Sequence, residues 1–276
     1  MNKIKIVVDS TADLTKEEIK KYNLEVLPLT VNVDGEEFED ISNEDYILKM
    51  RTAKSFFTSQ PAIGKIMDKY KQLTDEGYDI ISIHLSDVIS GTFNTASQVA
   101  KSFTNVKVVN SKTTSRGMVF LIKECINQIL LGKNISEISE ILNNKAKKIL
   151  TYVTIDRLDN LVKGGRLKKA SGIIGGFLNI KILTKLYTNE LKMIKTVRGK
   201  KKLVSALIEN IKKDAGEKIK SIKLAHALSY EYIEMIKVAL LENLGYKLTD
   251  NDVFITCPVI STHTGEGAVG IIIELE

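Results

Sequence analysis

The feature that most constrains this chain is a repeated alternation of short apolar runs with helix-start signals. Ile4–Val8, Asp79–Leu85 and Val106–Val109 are rich in isoleucine and valine and read as strands. Each is followed by a polar segment and then by a helical pattern. Asp9-Ser10-Thr11-Ala12-Asp13 precedes a capping box, Thr15-x-x-Glu18. Ser90-Gly91-Thr92-Phe93-Asn94-Thr95 opens a helix reaching about Phe103, and Asn110-Ser111 precedes one over about Arg116–Leu131. Leu24–Val33 is a further extended run, interrupted at Pro28. Ser42-x-x-Asp45 starts a short helix through about Lys49, and Ser136 starts another. In Thr58-Ser59-Gln60-Pro61, Ser59 is the expected N-cap of a helix carrying Ile63, Ile66, Met67 and Tyr70. Strand alternating with helix predicts an α/β fold with mostly parallel sheets and helices on both faces.

Beyond Leu150 the texture changes. Thr151–Ile155 is a strand; Leu158–Gly176 then holds glycines at 164, 165, 172, 175 and 176 and the basic residues Lys163, Arg166, Lys168 and Lys169. Ile180–Tyr187 and Leu191–Val197 alternate about Thr188-Asn189 as a hairpin does. Arg198–Lys202 is a basic knot opening a helix, Ile222–Leu228 a strand and Tyr230–Leu244 a helix. The expected organisation is therefore two α/β lobes, 1–150 and 151–276. Near the end, in Asp252–Glu276, two apolar runs rich in valine, isoleucine and phenylalanine read as strands. They flank Ser261-Thr262-His263-Thr264-Gly265, which places His263 at a strand end.

Composition excludes several functions. With 276 residues and 43% apolar content the chain can bury a full core. Its two cysteines, Cys125 and Cys257, sit far apart in apolar surroundings and read as reduced, buried thiols of a cytoplasmic protein. Three histidines, His84, His226 and His263, are too few for a zinc site with such cysteine spacing, and no cofactor is expected. Met1-Asn2-Lys3 runs straight into a strand, without a signal-peptide pattern, and no apolar stretch is long enough for a membrane span. The net charge of +6 is mild. It permits an acidic partner, nucleic acid or an anionic surface, but a lysine-rich solvated face is the simpler reading. The basic clusters lack interleaved aromatics, which speaks against base stacking. There is no P-loop. Gly265-x-Gly267-x-x-Gly270 matches the dinucleotide fingerprint in letters only, because Ile271-Ile272-Ile273 follows where a helix must begin.

Three polar clusters fall where strands end: Thr58-Ser59, Ser90-Gly91-Thr92 and His263. Open α/β sheets bind ligands beyond the carboxyl ends of their strands. Small hydroxyls and amides at a helix start attract anions. Each serine or threonine taken alone also reads as an ordinary helix cap. Ser90 and His263 could instead form a hydrolytic pair, an esterase-like site with Asp9 as third member. However, Val88-Ile89-Ser90-Gly91-Thr92 is not the nucleophile elbow.

Taken together, five segments resemble the DegV family over essentially the whole chain. They are V-D-S-T-A-D-L (8–14), T-S-Q-P (58–61), S-G-T-F (90–93), L-D-N-L-V-K-G-G-R-L (158–167) and P-V-I-S-T-H-T-G-E-G-A-V-G (258–270). The resemblance implies a two-domain, non-enzymatic carrier, monomeric and cytoplasmic. It would hold a long-chain fatty acid such as palmitate or oleate in an apolar tunnel between its lobes. It would present the carboxylate to a fatty acid kinase, which forms the acyl phosphate. By motif position Thr58, Ser90 and His263 would hold the carboxylate, with Ser59, Gly91 and Thr92 lining the same pocket. Arg166 and Arg198 would be candidates for the kinase contact. This chain departs from the family at Asp87-Val88, where serine and glycine are usual. It also departs at Lys181-Ile182-Leu183, which lacks a usual proline, at Asn110 and at Cys257. Asp87 would repel a carboxylate if it pointed inward.

Overall fold

A computed structural model describes residues 3–156, 159–166 and 179–276. In chain order the first half comprises β1 (Lys3–Asp9), α1 (Lys16–Lys21), β2 (Leu24–Leu27), β3 (Thr30–Val33), β4 (Glu36–Phe38) and α2 (Asn43–Thr52). It continues through β5 (Phe56–Ser59), α3 (Ile63–Asp75), β6 (Tyr78–His84), α4 (Thr92–Ala100), β7 (Val106–Asn110), α5 (Arg116–Leu130) and α6 (Ile135–Ala146). The second half begins with β8 (Ile149–Ile155), α7 (Asp159–Lys163), β9 (Ile180–Leu186), β10 (Leu191–Arg198), α8 (Lys200–Ala215) and β11 (Ile219–His226). It closes with α9 (Tyr230–Leu244), β12 (Val253–Ile255), α10 (Pro258–Thr264) and β13 (Val269–Leu275). None of the described helices is long and apolar enough to cross a membrane.

Contacts group the chain into two units, one of residues 1–30 with 58–149 and one of 31–57 with 150–276. The segment 31–57, which a boundary near 150 assigns to the first lobe, thus groups with the C-terminal half.

The first unit is built on a four-stranded sheet in the order β2-β1-β6-β7, parallel throughout. The α3 and α4 helices share a core with it through Val7, Leu27, Ile66, Tyr70, Ile80 and Val99. The α5 and α6 helices also pack on β6 and β7. The expected capping box is present: Thr15 accepts from the Glu18 amide, and Glu18 accepts from the Thr15 amide. From β1 the chain steps to β2 on one side, whereas β6 leads to β7 on the other. The carboxyl ends of β1 and β6 therefore flank a topological switch point, the usual crevice of such sheets.

The second unit holds a six-stranded sheet in the order β10-β9-β8-β13-β11-β12. Here the expectation of mostly parallel strands fails. The β8–β9, β9–β10 and β11–β13 pairs are antiparallel, and β11–β12 is parallel. The tight turn closed by Tyr187 N–H donating to the Glu190 carbonyl forces β9 and β10 antiparallel. For β13 the sequence carries no such signal, because a strand buried on both faces is continuously apolar in either orientation. Tyr152, Leu183, Leu207, Leu224, Ile236 and Ile271 lie in the core formed with α8 and α9.

Two local expectations are also corrected. Residues 258–264 are helical, not extended: Pro258 occupies the first turn behind Cys257, so His263 rides on a short helix. Ser59 ends β5 rather than capping a helix, and α3 starts at Ile63 behind an extended Ala62. Pro61 keeps the preceding residue out of the helical region, which delays the start.

Candidate functional site

In the first unit the site begins with Asp9, at the carboxyl end of β1. Its fully buried carboxylate accepts from the Thr11 amide (3.0 Å), the Thr11 hydroxyl (2.5 Å) and the Leu85 amide (2.9 Å). It also pairs with His84 Nδ1 at 3.1 Å, while His84 Nε2 meets Ser82 Oγ at 2.8 Å. The Ser–His–Asp order is that of a hydrolytic triad, but all three side chains are sealed from solvent. Asp9 is committed to His84 and two neighbouring loops, which removes it as the third member of a Ser90–His263 pair. Its role is to pin the loop leaving β6, since Leu85 opens the segment that carries Ser90.

That loop is wound tightly. The Ser90 amide donates to the Ser86 carbonyl at 3.2 Å, and the Ser86 amide to the Thr113 carbonyl at 2.8 Å. Ser90 Oγ lies 2.9 Å from Thr92 Oγ1 and accepts from the Thr92 amide at 3.3 Å. Ser90 is half-buried, Gly91 exposed and Thr92 buried at the start of α4. The end of β5 is tied to this helix start. Gln60 Nε2 donates to Thr95 Oγ1 at 2.7 Å, and a Cβ on Gly91 would lie 2.3 Å from Gln60 Oε1. Gly91 leaves room for the Gln60 amide, and Thr58 (half-buried) and Ser59 (exposed) are the residues leading into that contact. Asp87 turns to Lys112, with Nζ 3.1 and 3.3 Å from its two oxygens. Burial opposes its ionisation, but the Lys112 ammonium outweighs that and holds the carboxyl below its usual range. The departure from the family pattern at Asp87 is thus matched by a lysine.

In the second unit, α10 packs against α2 and α7. His263 sits in its last turn, against Gly164 at the end of α7. A Cβ on Gly164 would fall 2.3 Å from His263 Nδ1. Burial, and then the charge of Arg166, push the His263 pKa down to about 4. The imidazole is therefore neutral at pH 7, with one nitrogen able to donate and the other able to accept. Arg166 Nη1 donates to the Gly164 carbonyl at 2.6 Å, which places the guanidinium on the segment that touches the imidazole. Arg198 is exposed at the end of β10, opposite Ile180.

A cleft of about 780 Å³ opens beside α10 within this unit, lined among others by Arg51, Asp156, Asn160, Lys181, Gly265 and Glu266. Its charges are largely matched: Arg51 pairs with Glu266, Lys181 with Asp156 and Lys200 with Glu231. Gly265 and Gly267 have φ of +79° and +86°, so the turn after α10 needs glycine at both. Sequence reasoning found α2 as a helix but attached no function to Tyr46 or Arg51. Their partners, Thr262 and Glu266, lie more than 200 residues away, beyond the reach of any local pattern. Cys125 is buried, its thiol pushed up to about 12 mainly by burial, whereas Cys257 is only half-buried.

The profile of the family described as "Uncharacterised protein, DegV family" matches residues 3–276. The chain belongs to the DegV family. A DegV domain-containing protein of Staphylococcus aureus strain MRSA252 is 37% identical over 278 residues, covering 99% of both chains. A solved DegV protein of Streptococcus agalactiae, described as fatty acid binding, superposes with a TM-score of 0.89 at 26% identity over 100% of both chains. A Thermotoga maritima protein described as revealing a fatty acid binding function gives 0.85 at 28% identity, again over 100% of both. The DegV motifs in this chain correspond to the β1 end, the β5 end, the α4 start, α7 and α10.

Proposed function

We propose that this protein is a fatty acid carrier. It binds one long-chain fatty acid, of the palmitate or oleate class, and presents the carboxylate to a fatty acid kinase. Thr58, Ser90 and His263 hold the carboxylate, supported by Ser59, Gly91 and Thr92. The observation that carries this reading is the hydroxyl cluster built at the switch point by the Ser90 loop and α4, in a chain whose relatives are described as fatty acid binding.

The chemistry is consistent. A carboxylate taken out of water needs several convergent donors, and small hydroxyls with backbone amides supply them. A neutral imidazole adds one N–H without placing a second cation there. The acyl tail supplies the affinity: about 16 methylenes at roughly 0.8 kcal/mol each give on the order of 13 kcal/mol before the costs of association and ordering. Head-group contacts then set register and presentation. Asp87, drawn to Lys112, is not an obstacle to the anion. Arg166 and Arg198 are the candidate contacts for the kinase. A hydrolytic role for Ser90 is disfavoured, because Asp9 serves His84.

The test is binding of palmitate and oleate to delipidated protein, with the Thr58→Ala/Ser90→Ala double variant alongside. The reading expects saturable one-to-one binding that the double variant weakens at least tenfold. Unchanged retention in the variant would refute the head-group assignment. Addition of a fatty acid kinase and ATP then tests presentation, with acyl phosphate as the expected product. Turnover of p-nitrophenyl esters that disappears in Ser90→Ala would favour the esterase instead.

A further inference from the structure

The helix that carries His263 is tied to α2 through its last turn and through the turn that follows it. Tyr46, fully buried on α2, places its hydroxyl 2.5 Å from Thr262 Oγ1, the residue next to His263. Thr262 Oγ1 donates its single proton to the Pro258 carbonyl at 2.8 Å, so the Tyr46 phenol must donate to Thr262. One turn further along α2, Arg51 grips Glu266 with two parallel bonds, Nε to Oε2 at 2.9 Å and Nη2 to Oε1 at 2.5 Å. Glu266 lies between Gly265 and Gly267, both at positive φ, in the turn that leaves α10. On the opposite side His263 meets Gly164, where the missing side chain leaves room for the ring. The imidazole is thus confined between α7 and two anchors on α2.

We propose that Tyr46 and Arg51 are positioning residues. By fixing Thr262 and Glu266 on either side of His263, they set the orientation of the imidazole and, through it, the affinity for the carboxylate. This rests on the fatty acid reading given above. The bidentate fork matters for geometry more than energy: Arg51 and Glu266 are 53% and 38% exposed, and such surface pairs contribute little to stability. The segment 31–57, contributed from the first part of the chain, would then act as a strap. It touches no ligand yet decides how well the site binds one.

The experiment uses the full chain with ¹⁵N-labelled histidine, assigning the His263 signals by their loss in His263→Gln. Tyr46→Phe, Arg51→Gln and Glu266→Gln are compared with the charge swap Arg51→Glu/Glu266→Arg. Each protein is measured for its imidazole titration, its oleate Kd and its Tm. In the single variants the proposal expects the His263 midpoint to climb from about 4 toward 6.5 as the ring gains water. Kd should rise roughly 10-fold, at the lower end of what losing a partner that orients a ligand-holding side chain costs. Tm should hardly move in the Arg51 and Glu266 variants, and the swap should restore both midpoint and Kd. An unmoved midpoint overturns the proposal. A moved midpoint with unchanged Kd overturns it too, and His263→Gln then locates the fault. If that variant binds oleate normally, the carboxylate reading has failed; if it binds weakly, the α2 brace is what failed.

Discussion

Gly164→Ala isolates the placement of His263 from everything else at the site. Gly164 has no left-handed backbone requirement, so alanine is compatible with its conformation. The new methyl would nevertheless sit 2.3 Å from His263 Nδ1 and 3.0 Å from the Asn160 carbonyl, where ordinary contact begins at 3.4 Å. The ring or the end of α7 must therefore move by about 1 Å. An imidazole pushed off its preferred rotamer costs about 0.5–1.5 kcal/mol, so the fold should lose no more than that. Loss of one hydrogen bond to a charged ligand costs about 1.5–3 kcal/mol. Ligand affinity should accordingly fall roughly 10- to 150-fold. Displacement of a fluorescent polyene fatty acid by oleate gives the affinity, and urea unfolding gives the stability. A variant that binds as tightly as the parent would refute the reasoning, because it would mean that the position of His263 does not matter to the ligand.

Three further perturbations follow from the same structure. Asp9→Ala leaves His84, the Thr11 amide and hydroxyl and the Leu85 amide without their buried acceptor. It should cost about 3–5 kcal/mol in chemical denaturation, and a loss below 1 kcal/mol would contradict the pinning role. Leu207→Ala opens the core under α8 and should cost about 2–5 kcal/mol, read from the urea midpoint. His263 should also make the apo-protein acid-sensitive. Its folded pKa lies near 4 against 6.5 when unfolded, so the unfolded chain binds the extra proton first. This contribution is absent above pH 6.5, destabilises progressively as pH falls from 6.5 toward 4, and levels off below. Thermal unfolding of His263→Gln should show a shallower decline over that window, and identical slopes would contradict the burial of the ring.

Much of the first unit is legible in the sequence, because its signals are local. Ile4–Val8, Asp79–Leu85 and Val106–Val109 are short β-branched runs separated by helix starts, a pattern with few competing solutions. The capping box at Thr15 and Glu18, the Ser42 cap and the helix Tyr230–Leu244 are formed as expected. The motif residues Ser90, Gly91 and Thr92 do lie at a helix start. What was not legible depends on distant partners or on competing local rules. The β9–β10 hairpin is legible from its alternation about Thr188-Asn189, but β13 is buried along nearly its whole length, so its direction leaves no mark in the pattern. At Pro258 the apolar run Val259-Ile260 spoke for a strand, but a proline in a first turn and the glycine after Thr264 bound a short helix instead. The roles of Tyr46 and Arg51 exist only through Thr262 and Glu266. Asp9 has His84 as its partner, a pairing that no spacing rule singles out. Residues 167–178, with Lys168, Lys169 and the glycines at 172, 175 and 176, lie outside the described residues.

A fatty acid carrier should keep its cargo through purification, and mass spectrometry of what copurifies with the protein after denaturing extraction reads this directly. About one equivalent of a long-chain fatty acid per chain is expected, replaced by added palmitate or oleate after delipidation. A protein that emerges empty and still takes up neither acid would contradict the carrier reading.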